Sequence, residues 1–488
     1  MSRPICYLIS HGFASRMVFQ TGLLGKLTEA GQAAAVIAPD AEDANLKEFC
    51  EEQRVELYQY RPRANFFTVD YLFKRKYFLE DIRKNPALWA KHLRVAYGGT
   101  SWNPYIRLRP WFYYAVYWLV QRFPVLRKRF LRREERLLRD PAAEALLREI
   151  NPALVVATYP INLPESVLLR AARRLGIPTV IHLLSWDNIT CKGYFPALAD
   201  DYIAWGPIMK EEFIEYYGMD EERVYACGVP HFDQHVPFRK RLEAEGPGPG
   251  IAAEHLEKLG LQPDRPYLFM ALSSPVFCPR GIDVAEWLAR KVEEGAYGEE
   301  MQLIVRPHPQ NVQSNMADFS WLPRLQALES ERVAVDYPDL VKSKLPWSMQ
   351  AKDMERLSAL LAGAAVTINF GSTVSIDALM VGRPVVISAF DGDEQLPWWQ
   401  SARRQMDYDY YKKLIDMGGV KVAYDYEQFD ELLRSYIAEP EADREAREYA
   451  LRRECGVPDG RATERVAEVL LKLARRQQLA EPIAKSHE

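Results

Sequence analysis

A Gly-Ser-Thr triplet, Gly371-Ser372-Thr373, follows a run of apolar residues and precedes a helical pattern. The glycine lets the backbone approach a ligand closely, and the two hydroxyls stand beside the unpaired N–H groups of the helix N-terminus. Such a junction is suited to binding an anion. A plain helix N-cap uses the same residue types, so the triplet alone leaves both interpretations open.

Two side chains that can carry positive charge, Arg306 and His308, follow another apolar run in the same half of the chain. Arginine can bind phosphate through two parallel hydrogen bonds, and the prolines on either side of the histidine restrict the direction of the imidazole. The alternative is a solvated arginine and a histidine bonded to neighbouring carbonyls. A histidine between two prolines is hard to explain as core filling, so the pattern favours a phosphate site.

Three further polar residues are predicted at the same edge. Asp377 lies one helical turn after Thr373, where its carboxylate could accept hydrogen bonds from ribose hydroxyls. An acidic residue near a helix N-terminus is also stabilising in its own right. Ser273 and Ser274 follow a third apolar run.

Two residues in the first half of the chain are candidates for a general base that takes a proton from a hydroxyl group. His11 follows the first apolar run and begins a glycine-containing turn, and the ordinary pKa of histidine lies near neutrality. Asp187 lies in a polar loop, 185–193, after another apolar run. The structural alternatives are a histidine that caps the first helix and an aspartate that closes an Asx turn.

Short apolar runs alternate with helical patterns through most of the chain, which is typical of parallel sheets covered by helices. In such sheets ligands bind beyond the carboxyl ends of the strands, so residues that follow a strand are the informative ones. We predict strands at 5–10, 33–38, 153–158, 179–184, 201–205 and 224–227, and then at 267–271, 302–306, 333–335, 366–370 and 385–388.

The length of 488 residues is too great for one hydrophobic core, and a glycine- and proline-rich stretch at 245–250 is the best linker. We predict a first domain at 1–240 and a second at 251–440, followed by C-terminal helices at 441–488. The region at about 42–150 interrupts the α/β pattern and is predicted to be a helical insertion in the first domain.

Composition excludes several classes of protein. The net charge of −4 gives no sign of nucleic-acid binding. Six cysteines are scattered singly without a metal-ligand spacing, so we expect no metal and reduced thiols, as in the cytoplasm. The sequence has no P-loop, dinucleotide-binding glycine motif or nucleophile elbow. The first apolar run is too short for a signal peptide, and we expect no membrane-spanning helix.

The insertion is rich in aromatic and basic residues. Between Ser101 and Asp140 there are ten basic and three acidic residues, a net charge of +7. The segment could lie on an anionic membrane, shape a pocket for a lipid-linked glycan, or form a buried helix pair with a solvated basic face. Because apolar residues are nearly continuous at 111–120, we expect that stretch to be buried. The residues that would meet acceptor or membrane are Trp111, Arg127, Lys128 and Arg129.

Two α/β halves, the Gly-Val-Pro-His-Phe-Asp motif at 228–233 and the helical tail resemble glycosyltransferases of the GT-B fold. The similarity is closest to bacterial surface-polysaccharide enzymes, including CDP-glycerol glycerophosphotransferases and capsule transferases that use CMP-linked sugars. Several of these carry a His-Pro motif and a later Ser/Thr pair that bind donor phosphate, and His308-Pro309 and Ser372-Thr373 match them. Many GT-B enzymes have glutamate where Asp377 stands, and their catalytic base varies.

The resemblance implies an α/β fold in which two Rossmann-like domains face a cleft and the final helix crosses back to the first domain. It implies transfer of a sugar from a UDP-, CMP- or CDP-linked donor to a glycan or lipid-linked acceptor in surface-polysaccharide biosynthesis, without cofactor or metal. His11 or Asp187 would be the base. The donor would be held by Ser273, Ser274, Arg306, His308, Gly371, Ser372, Thr373 and Asp377.

Three other functions stay open: a CDP-glycerol-type glycerophosphotransferase, a nucleotide-sugar 2-epimerase, and a non-catalytic protein that binds nucleotide or glycan. The expected location is the cytoplasm, at the inner face of the membrane if the insertion binds lipid. The donor sugar, the acceptor, the stereochemical outcome and the oligomeric state do not follow from the sequence.

Overall fold

The computed structural model describes residues 2–63, 81–98, 104–312, 318–341 and 349–484, together with Thr68, Leu72, Arg75, Ser343 and Leu345. Two all-parallel sheets form its framework, and each is flanked by helices. Strands of such sheets are buried on both faces, which is why most of them are continuous apolar runs.

The first sheet has seven strands in the order β3-β2-β1-β4-β5-β6-β7. Their bounds are β1 Ile5–Leu8, β2 Ala34–Ala38, β3 Glu56–Gln59, β4 Leu154–Ala157, β5 Thr179–His182, β6 Asp201–Ala204 and β7 Val224–Ala226. The helices of this half are α1 Gly12–Val18, α2 Leu23–Glu29, α3 Ala44–Glu52, α4 Pro86–Tyr97, α5 Pro104–Arg122, α6 Pro124–Leu137, α7 Pro141–Ile150, α8 Leu163–Arg174, α9 Asn188–Cys191, α10 Pro207–Tyr217 and α11 Val236–Glu245.

The second sheet has six strands in the order β10-β9-β8-β11-β12-β13. Their bounds are β8 Tyr267–Ala271, β9 Gln302–Arg306, β10 Val333–Val335, β11 Val366–Asn369, β12 Val385–Ser388 and β13 Lys421–Ala423. The remaining helices are α12 Ala253–Lys258, α13 Gly281–Glu293, α14 Pro309–Val312, α15 Trp321–Gln326, α16 Ala351–Gly363, α17 Val374–Met380, α18 Asp409–Asp416, α19 Tyr426–Ala438, α20 Arg444–Cys455 and α21 Ala462–Ala484. Short 3-10 segments lie at Ile82–Lys84, Glu221–Arg223, Pro230–His235, Pro249–Ala252 and Ala402–Asp407.

The final helix, α21, crosses back to the first sheet, as predicted. Its residues Val466 and Leu470 are fully buried in the same apolar cluster as strand β1. The start of the helix is capped by Asp233, whose carboxylate accepts the N–H groups of Ala462 at 3.0 Å and Thr463 at 2.8 Å. The Gly-Val-Pro-His-Phe-Asp motif therefore contains the residue that fixes this crossing.

Two strands were not predicted from the sequence. β3 pairs with β2 although it lies inside the range predicted as a helical insertion, and β13 pairs with β12. β3 has a polar sequence, Glu-Leu-Tyr-Gln, and is partly exposed at the sheet edge. β13 has only three residues. Neither has the apolar run by which the other strands were found.

Helices α5 and α6 form a hairpin that turns at Phe123-Pro124 and packs on α4 through a small apolar cluster that includes Tyr117 and Val120. The expectation that residues 111–120 are all buried is wrong. Phe112 is 64% exposed and Trp118 is 55% exposed. Only one face of α5 meets another helix, so Phe112 and Trp118 face outward. No helix in the described ranges is long and apolar enough to span a bilayer.

Candidate functional site

The loop from Phe370 to Thr373, called here the Gly-Ser-Thr loop, is held in a left-handed turn at the carboxyl end of β11. Gly371 has a φ of +86°, and a Cβ at this position would lie 3.0 Å from Met406 Cε. The Oδ1 atom of Asn369 accepts the N–H of Gly371 at 2.9 Å and that of Ser372 at 3.1 Å. A side chain at residue 371 would therefore be strained and crowded.

The Ser and Thr side chains of this loop do not act as a simple helix cap. Thr373 is the N-cap of α17, yet its side chain makes no capping hydrogen bond. The Ser372 and Thr373 side chains are partly exposed at the cleft edge of the sheet. These two hydroxyls are thus placed where a ligand can reach them.

Arg306 lies at the predicted sheet edge, but its guanidinium is enclosed by carboxylates. It forms ion pairs with Asp336 and with Asp353, the latter at 2.6 Å, and its side chain is 8% exposed. Arg356 contacts the other oxygen of Asp353 at 2.9 Å. Both terminal nitrogens of Arg306 are committed to this network, so it stabilises the edge of the sheet from within. Its predicted contact with phosphate stays a prediction.

His308 is neutral at physiological pH, because burial lowers its pKa to about 4. Its Nδ1 accepts the N–H of Gln310 at 3.1 Å. In a neutral imidazole the proton then resides on Nε2, and the ring acts as a hydrogen bond donor. The backbone N–H of His308 donates to Asn311 Oδ1 at 2.7 Å, which fixes the turn. His308 therefore offers an N–H group of a neutral ring to a ligand.

Ser273 and Ser274 lie on the neighbouring strand end and are almost fully buried. Asn311 Nδ2 donates to the carbonyl of Ser273 at 3.4 Å, which joins this strand end to the turn that carries His308. The predicted donor residues after β8, β9 and β11 are thus brought to one edge of the second sheet.

Asp377 on α17 is hydrogen-bonded to His235, the last residue of the 3-10 segment Pro230–His235. His235 Nε2 lies 2.8 Å from Asp377 Oδ1, and His235 Nδ1 lies 2.8 Å from Ser358 Oγ. Asp377 therefore helps to hold the first domain against the second. Its predicted contact with ribose stays a prediction.

His11 lies at the carboxyl end of β1, and its Nδ1 accepts the N–H of Phe13 at 3.2 Å. Burial, together with the nearby charge of Lys192, lowers its pKa to about 4. The neutral ring then carries its proton on Nε2 and acts as a donor. The capping alternative for His11 is therefore realised, and this tautomer is poorly suited to general base catalysis.

Asp187 forms an ion pair with Lys192 at 2.9 Å in the loop that follows β5. Burial, the largest single effect, would raise the pKa of Asp187, but the positive charge of Lys192 and the hydrogen bonds from Ser185 and Lys192 together outweigh it and lower the pKa. The carboxylate is therefore ionised and able to accept a proton from a bound hydroxyl. Lys192 belongs to the polar loop 185–193, and the sequence pattern gave it no role. Only the structure shows that it is the partner of Asp187.

Arg16 is a functional candidate that was not predicted from the sequence. It lies on α1, and its charge interacts with those of Asp377, Asp353 and Arg306 across the cleft. Within the ranges that the structure describes, Arg16 forms no ion pair, and its Nε is buried without a hydrogen bond. The available signal was an arginine five residues after His11 on a helix whose other residues are mostly buried.

The four residues predicted for acceptor or membrane contact lie outside this cleft cluster. Trp111 packs within the insertion, with its ring 5.0 Å from that of His92. Arg127, Lys128 and Arg129 are exposed on α6. The insertion nevertheless borders the second domain, because Gly98, at the end of α4, approaches Trp399.

Solved structures confirm the GT-B fold. UDP-GlcNAc 2-epimerase from Neisseria meningitidis, bound to UDP-GlcNAc, is 10% identical and superposes with a TM-score of 0.54 over 96% of this chain and 100% of that chain. The S. aureus MnaA–UDP structure is 10% identical, with a TM-score of 0.51 over 96% of this chain and 95% of that one. The calicheamicin glycosyltransferase CalG4 is 15% identical, with a TM-score of 0.48 over 98% and 99%. The sequence matches no protein-family model and none of the curated proteins compared with it.

Proposed function

We propose that this GT-B-fold chain is a glycosyltransferase that moves a sugar from a nucleotide-linked donor to a hydroxyl of a glycan or lipid-linked acceptor. One observation carries the proposal. Uncommitted hydrogen bond donors lie at the carboxyl edge of the second sheet, and an ionised carboxylate and a cation lie at the carboxyl edge of the first. In open parallel sheets the space between these edges is where a ligand binds.

The donor side of the cleft would stabilise the leaving nucleotide. Ser372, Thr373 and the Nε2–H of His308 supply neutral donors, and Arg16 supplies positive charge from the opposite domain. Arg306 supports the strand end through its ion pairs with carboxylates. Fixed donors aimed at a developing negative charge are among the strongest contributions to catalysis.

The acceptor side would supply the general base, for which Asp187 is better suited than His11. In the proposed reaction the acceptor oxygen forms a bond to the sugar C1, and the C1–phosphate oxygen bond breaks. The acceptor proton passes to Asp187, and the nucleotide leaves with the bonding electrons. Lys192 keeps Asp187 ionised before the reaction. We propose that side chains offset the phosphate charge without a metal or cofactor.

The aromatic and basic hairpin of α5 and α6 would bring the enzyme to the inner face of the cytoplasmic membrane. Its exposed apolar residues lie beside Arg127, Lys128 and Arg129. This combination suits the interface of an anionic bilayer. A lipid-linked acceptor in surface-polysaccharide biosynthesis would then be presented beside the cleft.

A nucleotide screen tests the proposed function. We expect one of UDP, CMP, CDP, GDP and dTDP to raise the melting temperature of the wild-type protein strongly, because a ligand that binds only the folded state stabilises it by mass action. UDP is the first choice, since the N. meningitidis and S. aureus structures of this fold hold UDP-GlcNAc and UDP.

His308→Ala should lower donor turnover by about 100-fold or more with little loss of stability. Wild-type turnover in that variant would contradict the assigned role.

A nucleotide-sugar 2-epimerase is the second candidate, favoured by the similarity to the N. meningitidis epimerase. An epimerase needs no acceptor, so it would change UDP-GlcNAc added alone into an isomer that NMR detects. A CDP-glycerol glycerophosphotransferase would instead consume CDP-glycerol, transfer glycerol phosphate to the acceptor and release CMP.

A further inference from the structure

Tyr411 on α18 lies beneath the Gly-Ser-Thr loop and is fully buried. Its hydroxyl is 2.5 Å from Ser375 Oγ and 3.4 Å from the carbonyl oxygen of Ser372. Asn369, whose Oδ1 holds the N–H groups of this loop, also donates to Ser375 Oγ at 2.8 Å. The position of α18 and the shape of the Gly-Ser-Thr loop are therefore linked by direct hydrogen bonds.

The indole of Trp186 reaches α18 from the other domain. Its ring lies 4.7 Å from that of Tyr410 and 5.6 Å from that of Tyr411, both edge-on. Trp186 is 3% exposed and directly precedes Asp187 in the chain. Aromatic pairs in this geometry contribute about 0.5–1.5 kcal/mol beyond the area they bury. The indole thus connects the candidate base to the helix beneath the donor loop.

A second contact fixes the same helix across the cleft. Lys413 lies 2.7 Å from Glu212 on α10, and the Glu212 side chain is 4% exposed. Helix α18 therefore meets the first domain at two places, through Trp186 near its start and through Lys413 further along. A movement of one domain relative to the other has to displace α18, and with it Tyr411.

We propose that Trp186 is a positioning residue that couples occupancy of the Gly-Ser-Thr loop to the placement of the Asp187–Lys192 pair, acting through Tyr411. The proposal rests on the proposed function, because it takes a nucleotide phosphate as the ligand of that loop. A ligand bound to Ser372 and Thr373 fixes the loop against Tyr411, whose ring then holds Trp186 and the adjoining carboxylate. Trp186 itself touches no reacting atom.

Nucleotide titrations of four variants test the proposal, with UDP and, if UDP does not bind, the other four nucleotides of the screen. Trp186→Ala should weaken binding about fivefold or more, the size of a typical coupling between sites. Trp186→Phe should restore most of the affinity, since it keeps a ring against Tyr411. Tyr411→Phe removes only the hydroxyl and should also weaken binding. Trp287→Phe is the matched control, because Trp287 stacks on Tyr426 at 4.8 Å in the second domain.

Tryptophan fluorescence gives a readout that general loosening of the fold would not imitate. The fluorescence change on adding nucleotide should persist in Trp287→Phe and be lost in Trp186→Phe, although the latter still binds. Trp186→Ala with an affinity within twofold of wild type, or a Trp186→Phe protein with the full fluorescence change, overturns the proposal. A wild-type protein that binds none of the five nucleotides overturns both this proposal and the proposed function.

Discussion

Arg16 and Arg306 both lie at the cleft, but we expect different roles for them: Arg306 stabilises the fold, and Arg16 binds the nucleotide. Arg306→Met should destabilise the protein by about 3 kcal/mol, because it leaves the carboxylates of Asp336 and Asp353 buried with only Arg356 beside them. Arg16→Met should leave stability nearly unchanged and weaken nucleotide binding at least about tenfold, since a charge-assisted hydrogen bond contributes about 1.5–3 kcal/mol. Denaturant unfolding and nucleotide titration measure the two effects.

The opposite result for the two variants would indicate that Arg306, and not Arg16, binds the phosphate. An Arg306→Met protein with wild-type stability and no nucleotide binding, beside an Arg16→Met protein that binds normally, would contradict this assignment. His308→Gln is a useful companion, since the amide can still donate a hydrogen bond to phosphate at any pH.

The role of a residue could be predicted from the sequence when its interaction partners lie close to it in the chain, and not when they lie far away. The Gly-Ser-Thr loop could be found because the strand, the glycine and the hydroxyls are adjacent in sequence. The state of Arg306 could not, because its partners Asp336 and Asp353 are 30 and 47 residues away. Long-range pairs are set by which strands and helices become neighbours, and no local pattern records them.

At the scale of elements, the insertion hairpin is the feature with the clearest test. Trp118→Ser combined with Phe123→Ser should lower binding to vesicles containing phosphatidylserine at least about tenfold, because a fully buried apolar side chain contributes about 1.5–3 kcal/mol. Both residues are more than half exposed. Binding of the wild type should also fall as salt screens the basic residues of α6. Vesicle co-sedimentation measures each effect.

Phe319→Ser is the matched control for the hairpin, because Phe319 is 59% exposed but lies in the second half of the chain. A double variant of the hairpin that sediments as well as this control would remove the membrane proposal. The hairpin would then be a candidate for binding the glycan acceptor, the second of the interpretations open from the sequence.

Strands with an apolar run were predictable, and strands without one were not. Eleven strands could be read from apolar runs, among them the edge strands β7 and β10, whereas the edge strands β3 and β13 lack such runs. The error in α5 has a different reason. A continuous apolar sequence indicates burial only if a neighbour covers every face, and the hairpin leaves one face of α5 open.

At the scale of the whole molecule, the two halves meet around a buried carboxyl, that of Glu454 on α20. Burial and the nearby carboxylate of Glu212 raise the pKa of Glu454 to about 8, although Lys413 and Arg453 oppose the shift. The side chains of Glu212 and Lys413 form an ion pair beside it. The pKa of an unfolded glutamate is about 4.3, so the folded state keeps a proton on Glu454 that the unfolded state has released.

The sign of the pH dependence follows from that difference. The contribution of Glu454 to stability is fully present below about pH 4 and is lost as the pH rises through about 8, since unfolding then avoids burying a charge. Glu454→Gln keeps the shape without the ionisation, so it should have nearly wild-type stability at pH 4 and exceed wild type at pH 9. One pKa unit corresponds to about 1.4 kcal/mol, and the gain in stability at pH 9 should be at least that large.

Melting temperatures of both proteins across this pH range measure the gain. The comparison between the two proteins cancels titrations common to both, such as those of the buried histidines. Parallel curves for the two proteins would show that Glu454 is already charged in the folded state, and the interface between the halves would then have to contain a compensating cation beyond Lys413.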